Sequence, residues 1–466
     1  MPFDDLSALV PQSTVLTAEA ALSPYRGDWS SLSILAQLRG DEPAPAAVLR
    51  PASVEDVARA LAWASSAGVP VIAAGGRSGV SGGVRARGGE LLVDLCALVE
   101  GRPLDELITL DEVSGVARVP AGVLGNELEA WLNARGYTLG HFPQSIDLST
   151  VGGWVAARSA GQLSCGYGAV EDFLVGLRVA LPDGSIAQSH LAPRTAAGPQ
   201  VHELFVGSEG TLGVVLEAWL RVRRAPTTRL FASLEFDTFA DGLEGVRRMA
   251  HAGALPSGVR VYDPGDVQIA FRSLDPAPAG PVGVLVAEGD DVATPRVMER
   301  ALQLAGGRPS ELDLAGHWWV HRNDAVHTYR RVLSGELLGE KTAVDTIEVA
   351  GLWAVIPALY ESVSAALGRH AMAAGCHCSH AYETGCALYF TFVLQADDRP
   401  AALAAAWADA LDAAADAGGT FTHHHGVGQM KGRWLEREAD GFARHLDGIR
   451  KVFDPAGVMN PRALRP

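Results

Sequence analysis

Residues 70–83 read Pro-Val-Ile-Ala-Ala-Gly-Gly-Arg-Ser-Gly-Val-Ser-Gly-Gly. An apolar run leads straight into glycines that can take positive φ and leave backbone N–H groups uncovered. Such a loop suits the pyrophosphate of a dinucleotide, because N–H groups can converge on it with no Cβ in the way. A Rossmann loop needs Gly-x-Gly-x-x-Gly opening a helix. Here Arg77 stands at the place of the second glycine, and more glycine follows. The P-loop pattern fails as well: Gly-Glu-Lys-Thr at 339–342 has Glu340 where a glycine must precede the lysine. Taken alone, the stretch is equally compatible with a plain flexible loop.

Two further loops change that balance. Residues 143–168 run from Pro143-Gln144-Ser145 through Ser149-Thr150-Val151-Gly152-Gly153 and Arg158-Ser159 to Tyr167-Gly168. Glu171-Asp172 follows, and Gly-Ser-Glu-Gly-Thr-Leu-Gly occupies 207–213. Three separated Gly/Ser/Thr loops imply one long ligand held by main-chain donors and small hydroxyls. In this order and spacing, the four motifs resemble the FAD-binding PCMH-type domain of the vanillyl-alcohol oxidase superfamily, over roughly residues 45–225. The resemblance implies that Gly75, Gly76, Arg77, Ser78, Gly79 and Ser81 cradle the pyrophosphate. It implies that Pro143, Ser145, Ser149, Thr150, Gly152 and Gly153 line the flavin. Arg158, Ser159 and Gln162 would approach the isoalloxazine edge, and Glu209, Thr211, Gly213 and Val214 would close the adenine side. Some relatives attach FAD through a histidine in the first loop; this chain has Arg77-Ser78 there, so non-covalent FAD is expected.

The second half separates branches of that superfamily. Its 2-hydroxy-acid dehydrogenases carry H-x-GDGN-x-H and EHG, whose two histidines and glutamate hold a divalent metal. Here the first stretch reads Ser379-His380-Ala381-Tyr382-Glu383-Thr384-Gly385, and the second reads Thr422-His423-His424-His425-Gly426-Val427-Gly428. One histidine survives as His380, and His424 replaces the glutamate. No metal is expected. The pair of departures is similar to the alkyldihydroxyacetonephosphate synthase branch, as is Val344-Asp345-Thr346-Ile347-Glu348 ahead of Trp353. That likeness implies exchange of the acyl group of acyl-dihydroxyacetone phosphate for a fatty alcohol through a flavin N5 adduct, without net redox change. The side chains fit such chemistry. Tyr382 can serve as general acid or base if its hydroxyl is polarised. His423, His424 and His425 offer a proton shuttle and, when charged, phosphate contacts. An arginine fork would match two phosphate oxygens; Arg330 is the candidate and Arg331 the alternative. An FAD-dependent oxidase or dehydrogenase of a small 2-hydroxy acid or other alcohol is a second class, and a non-catalytic flavin-binding protein a third. Cys376 and Cys378, at C-x-C spacing with no second pair, read better as small core residues than as zinc ligands.

The elements that must hold these groups follow from pattern. Ser53 with Glu55 and Asp56 opens a helix over 54–67, which Gly68 closes. Short buried strands are expected at 69–74 and 91–95, a helix at 125–135 ending at Gly136, and strands 171–181 and 185–189 about Pro182-Asp183-Gly184. Residues 401–417 have helical spacing of Leu and Trp. The expected fold class is α/β (α+β): an N-terminal helical segment (1–44), the PCMH-type two-subdomain FAD-binding domain (45–225), a substrate or cap α/β domain (226–420), and a C-terminal segment (421–466) returning to the flavin. The 466 residues, 48% apolar and 20% charged, suffice for such cores. A net charge of −16 disfavours nucleic acid as partner. Five cysteines make no disulfide framework, and the first residues lack a signal-peptide pattern, so a cytoplasmic location is expected. A small-molecule or lipid-phosphate substrate is expected, compatible with peripheral membrane contact and with a homodimer.

Overall fold

The computed structural model describes residues 2–439 and 442–465. The strand Ala47–Arg50 and the helix Val54–Ala67 begin the first α/β unit. Ser53 caps that helix by accepting from the Asp56 N–H, and Gly68 ends it at φ +65°. The strands Val71–Ala74 and Leu91–Asp94 pair in parallel, and Leu91–Asp94 also pairs in parallel with Ala47–Arg50. Thr14–Leu16 adds an antiparallel edge. The expected helical preface therefore also supplies a strand, because Thr14-Val15-Leu16 pairs with Arg50-Leu49-Val48. Its helix Ser31–Arg39 sends Ile34 and Leu35 into the core of the second half.

A second, wholly antiparallel sheet is ordered Thr109–Asp111, Val116–Pro120, Val214–Arg221, Leu174–Ala180, Ile186–Gln188. One apolar core, including Val93, Val119, Trp154 and Leu216, joins the two sheets. The glycine loops adjoin the ends of strands: Gly75 follows Val71–Ala74, and Gly213 precedes Val214–Arg221.

The second half is a seven-stranded antiparallel sheet in which Gly258–Tyr262 lies beside Ala373–Ala381, followed by Gly385–Gln395 and Thr342–Leu352. Its period of two sorts the side chains between two faces. Val259, Val261, Cys376, Cys378, Phe390 and Phe392 face a helix-covered core. The alternate residues Arg260, Tyr262, His377, Ser379, Tyr389 and Thr391 line a large cavity. A register shift between Cys378 and His380 turns His380 to the cavity side as well. Cys376 and Cys378 are thus buried core residues, as their spacing suggested. No helix among the described residues is long and apolar enough to cross a membrane.

Candidate active site

The three glycine-bearing loops converge on one cavity of about 790 Å³. Gly75 to Gly79, Ser81, Pro143, Ser145, Ser149, Thr150, Gly152, Gly153, Ser159, Gln162, Glu209 and Gly213 all line it. Thr150 caps the helix Val151–Ala157 through the Gly153 N–H at 3.3 Å. Trp154 Nε1 donates to Ser149 Oγ at 2.8 Å, which holds that hydroxyl at the cavity wall. Arg77 sits at φ +55°. Three of the expected cofactor residues do not line the cavity. Arg158 turns outward to Glu171, with Nε 2.8 Å from Oε1. Thr211 is buried with its hydroxyl on the Ser208 carbonyl, and Val214 is core at a strand start.

The glycines test whether a long cofactor fits. A Cβ on Gly76 would sit 1.6 Å from the Leu148 carbonyl oxygen, and one on Gly75 would sit 2.1 Å from Thr150 Oγ1. These two let the first and second loops touch. A Cβ on Gly79 would meet no protein atom within 4 Å, so its backbone faces open cavity. Gln162 Oε1 is a buried acceptor left without a partner on the same wall. Bare backbone, small hydroxyls and an orphaned amide are the donor and acceptor set that a dinucleotide needs, and FAD fits it.

The far wall carries the histidines. Glu348 is fully buried, and its Oε1 accepts from the backbone N–H groups of His423 (3.0 Å), His424 (3.3 Å) and His425 (2.9 Å) and from Thr422 Oγ1 (2.7 Å). Its Oε2 accepts from Lys431 Nζ at 2.8 Å and lies 3.4 Å from His425 Nδ1. Burial alone would raise the Glu348 carboxyl, but His425 and Lys431 override it and hold it well below the usual range. One carboxylate therefore folds the three-histidine loop. Glu209 clamps the same loop from the cofactor side, accepting from the Val427 and Gly428 N–H groups at 2.6 and 2.8 Å. Ser81 Oγ donates to the His425 carbonyl at 2.8 Å. The resemblance assigned Glu209 to the adenine side; it lines the cavity, and its carboxylate also holds this loop.

His424 and His425 line the cavity together with His380, whereas His423 and Tyr382 stand behind them. Tyr382 Oη lies 2.7 Å from His423 Nε2, and His423 Nδ1 lies 2.9 Å from His424 Nδ1. A consistent set of tautomers has Tyr382 O–H donating to His423 and His423 Nδ1–H donating to His424. Tyr382 is 39% exposed, so the chain of bonds runs from surface to cavity. Burial lowers His423 to about 4. Burial, reinforced by neighbouring histidines, drives His380 and His424 well below their ordinary value. All three are neutral at pH 7. Ligand atoms of His380, His423 and His424 lie within 4.8 Å of one another, a grouping that could hold a metal ion. The sequence set His380 and His424 at the metal-ligand stretches of the hydroxy-acid branch; the register shift beside Cys378 turns His380 to the cavity side.

Arg330 does not line the cavity; its Nη1 donates to Gln37 Oε1 at 3.2 Å. Arg331 pairs with Glu336 and is exposed. The helix Asp324–Leu333 instead presents Val326, Tyr329 and Val332 inward, with Tyr329 Oη donating to Asp345 at 2.9 Å. The sequence places an arginine one helical step off the inward face. Sequence reasoning also missed Glu348 as the loop's anchor, Arg260, and His141, whose Nε2 lies 2.8 Å from Ser159 Oγ.

The comparisons agree with cavity, cradle and sheet: residues 45–189 match the FAD binding domain model, and 225–464 match the C-terminal domain model of FAD linked oxidases. The chain belongs to that family and is an FAD-dependent enzyme. Among its relatives is the uncharacterized FAD-linked oxidoreductase YgcU of Escherichia coli (strain K12), 30% identical over 91% of this chain and 90% of that one. The alkyldihydroxyacetonephosphate synthase of Trypanosoma brucei brucei is 27% identical over 91% of this chain and 74% of its own length. A solved alkyldihydroxyacetonephosphate synthase superposes with a TM-score of 0.78 at 22% identity, covering 99% of this chain and 84% of that one. The PCMH-type flavoprotein likeness, the branch resemblance and the α/β fold class of the sequence analysis are borne out.

Proposed function

We propose that the protein is an alkyldihydroxyacetonephosphate synthase-like flavoenzyme that exchanges the acyl group of acyl-dihydroxyacetone phosphate for a fatty alcohol. The observation that carries this reading is the bond sequence Tyr382–His423–His424, which occupies the ground where hydroxy-acid relatives keep metal ligands. FAD, when bound, supplies the ring at which the substrate carbon is activated. The chain's own groups then handle protons. Loss of the acyl group needs a proton delivered to the leaving carboxylate or removed from carbon, and an incoming alcohol must lose its proton. With the tautomers above, neutral His424 carries its proton on Nε2 and can give it up, drawing a replacement from His423 Nδ1–H while the Tyr382 hydroxyl protonates His423 Nε2; the reversed set of tautomers lets the same line take a proton from the alcohol. His425, beside Glu348 and edge-on to Tyr389 at 5.5 Å, faces the same chamber. The inward side chains Val326, Val332, Val344, Phe271 and Trp318 give the chamber an apolar lining suited to a lipid chain.

The test is ether formation by FAD-loaded protein from acyl-dihydroxyacetone phosphate and a long-chain alcohol. Product is expected, with loss of about 100-fold or more in Tyr382→Phe and His424→Ala if each supplies general acid–base catalysis. No ether product from a protein with full flavin content would reject the proposal. A redox FAD-linked oxidoreductase is the second reading. It is favoured by the inward Tyr329 and outward Arg330, which leave the helix Asp324–Leu333 without a phosphate fork.

A further inference from the structure

We infer that Arg260, with Ser379 beside it, forms the oxyanion subsite of the substrate chamber and takes a carboxylate or phosphate group of the substrate. The inference rests on substrate occupying the same chamber as in the proposed reaction. Arg260 is the middle residue of the strand Gly258–Tyr262, and pleating aims it at the cavity. Its Nη1–H donates to His377 Nε2 at 2.9 Å, and His377 Nδ1–H donates to Asp266 Oδ2 at 2.5 Å. That pair of bonds fixes the imidazole tautomer and the guanidinium plane. Trp318 lies 5.0 Å away under the guanidinium carbon.

The fork also reaches the Tyr262 hydroxyl, yet one of its N–H groups is left over. Arg260 Nε is buried and without a hydrogen-bond partner, and no carboxylate among the described residues stands at ion-pair distance from it. Arg260 is half-buried, and a buried guanidinium N–H left unmet is costly unless a ligand meets it. Strand pairing places Val261 against Cys378 and Tyr262 against His377, and Ser379, the residue in the bulge just beyond, lines the same cavity as Arg260. Ser379 Oγ is the second buried polar atom there without a partner. Two orphaned donors on adjacent strands of the same chamber fit two oxygens of one anion.

The other arginines of the cavity are committed elsewhere. Arg77 donates to the Pro24 carbonyl and lies over Tyr25. Arg322 stacks on Trp319 at 3.9 Å and donates to that residue's carbonyl. Arg272 is exposed at the rim. Arg260 adjoins the chemistry through His377, which stacks on Tyr389 at 5.0 Å, and Tyr389 meets His425.

The test reads binding without turnover, so it is decided separately from ether formation. Thermal unfolding of the FAD-loaded protein is followed as chloride is replaced by inorganic phosphate or by malonate at constant ionic strength. A saturable rise in Tm is expected, because an anion that binds only the folded state stabilises it. Arg260→Met, at unchanged flavin content, is expected to weaken the apparent affinity at least ~10-fold, the scale of a lost charge-assisted bond. Ser379→Ala is expected to weaken it less, and Arg260→Lys to fall between. Tighter phosphate than malonate would assign a phosphoryl substrate; the reverse would assign a carboxylate. No saturable rise in the wild type overturns the inference, as does Arg260→Met binding like wild type. Should Arg260→Met lose its fold, unchanged affinity in both Arg260→Lys and Ser379→Ala would overturn it.

Discussion

Glu348 is the residue on which the site turns. It was legible in the sequence only as part of a run before Trp353. Its role depends on partners 74 to 83 positions away in the chain, which no local pattern reports. The Glu348–Lys431 pair is fully buried on both sides. Removing one member of such a pair leaves an uncompensated charge and costs about 3–5 kcal/mol. Glu348→Gln and Lys431→Met are each expected to lose that much in denaturant unfolding. The double variant is expected to lose clearly less than the sum, because neither charge is then stranded. Additive losses would mean that the two groups act apart. Tyr382 and the histidines, by contrast, were legible by type and motif, and the geometry joins them in one line. Arg330 was misplaced because a one-residue shift on a helix rotates a side chain by about 100°.

At the scale of elements, the glycine loops were the clearest signal in the chain, and their boundaries with strand and helix follow ordinary capping. The expected helices over 54–67 and 401–417 appear as Val54–Ala67 and Arg399–Asp416. The bulge at Cys378 was not legible, since a ladder irregularity depends on the partner strand as much as on its own residues. The loops separate two kinds of glycine. Gly76→Ala would drive a methyl into the Leu148 carbonyl and is expected to destabilise the fold itself by several kcal/mol, roughly the cost of overpacking against main chain. Gly79→Ala meets no protein atom, so the apoprotein is expected to melt as the wild type does while FAD affinity falls about 10-fold or more. Flavin retention on gel filtration beside apoprotein melting separates the two. Equal FAD affinity in Gly79→Ala would place the cofactor elsewhere.

Over the whole molecule, the site is a seam. The last described segment comes back to the first sheet, where Met459 bridges Val71 and Asn460 Nδ2 donates to the Gly83 and Glu209 carbonyls at 2.9 and 2.7 Å. The alternation of strand and helix patterns made an α/β chain legible, whereas a returning tail was expected only from the family resemblance. How the two halves close on one another was not, because that is set by the side chains that meet across the seam. The seam also gives stability a pH dependence. In the unfolded chain, histidines gain protons as pH falls below about 6.5. In the fold, burial holds His423 neutral to about 4 and His141 to about 3. Between those limits the unfolded state binds more protons, so stability is expected to fall as pH drops from about 6.5 toward 4. Glu209, raised to about 7 by burial, contributes the opposite slope as pH rises toward 7. Between about 4.5 and 7 Glu209 offsets part of the histidine slope, so in melting curves Glu209→Gln is expected to lose stability more steeply than wild type as pH falls through that range. A flat acid limb would contradict the buried neutral histidines.

The most direct single measurement mixes FAD-loaded protein anaerobically with acyl-dihydroxyacetone phosphate and a long-chain alcohol. The oxidised flavin band at ~450 nm is followed while the ether product is assayed. Ether formed over many turnovers, with the oxidised band restored at the end, is the expected result. Full, lasting bleaching of that band by a small hydroxy acid, with no ether from the lipid pair, would contradict it.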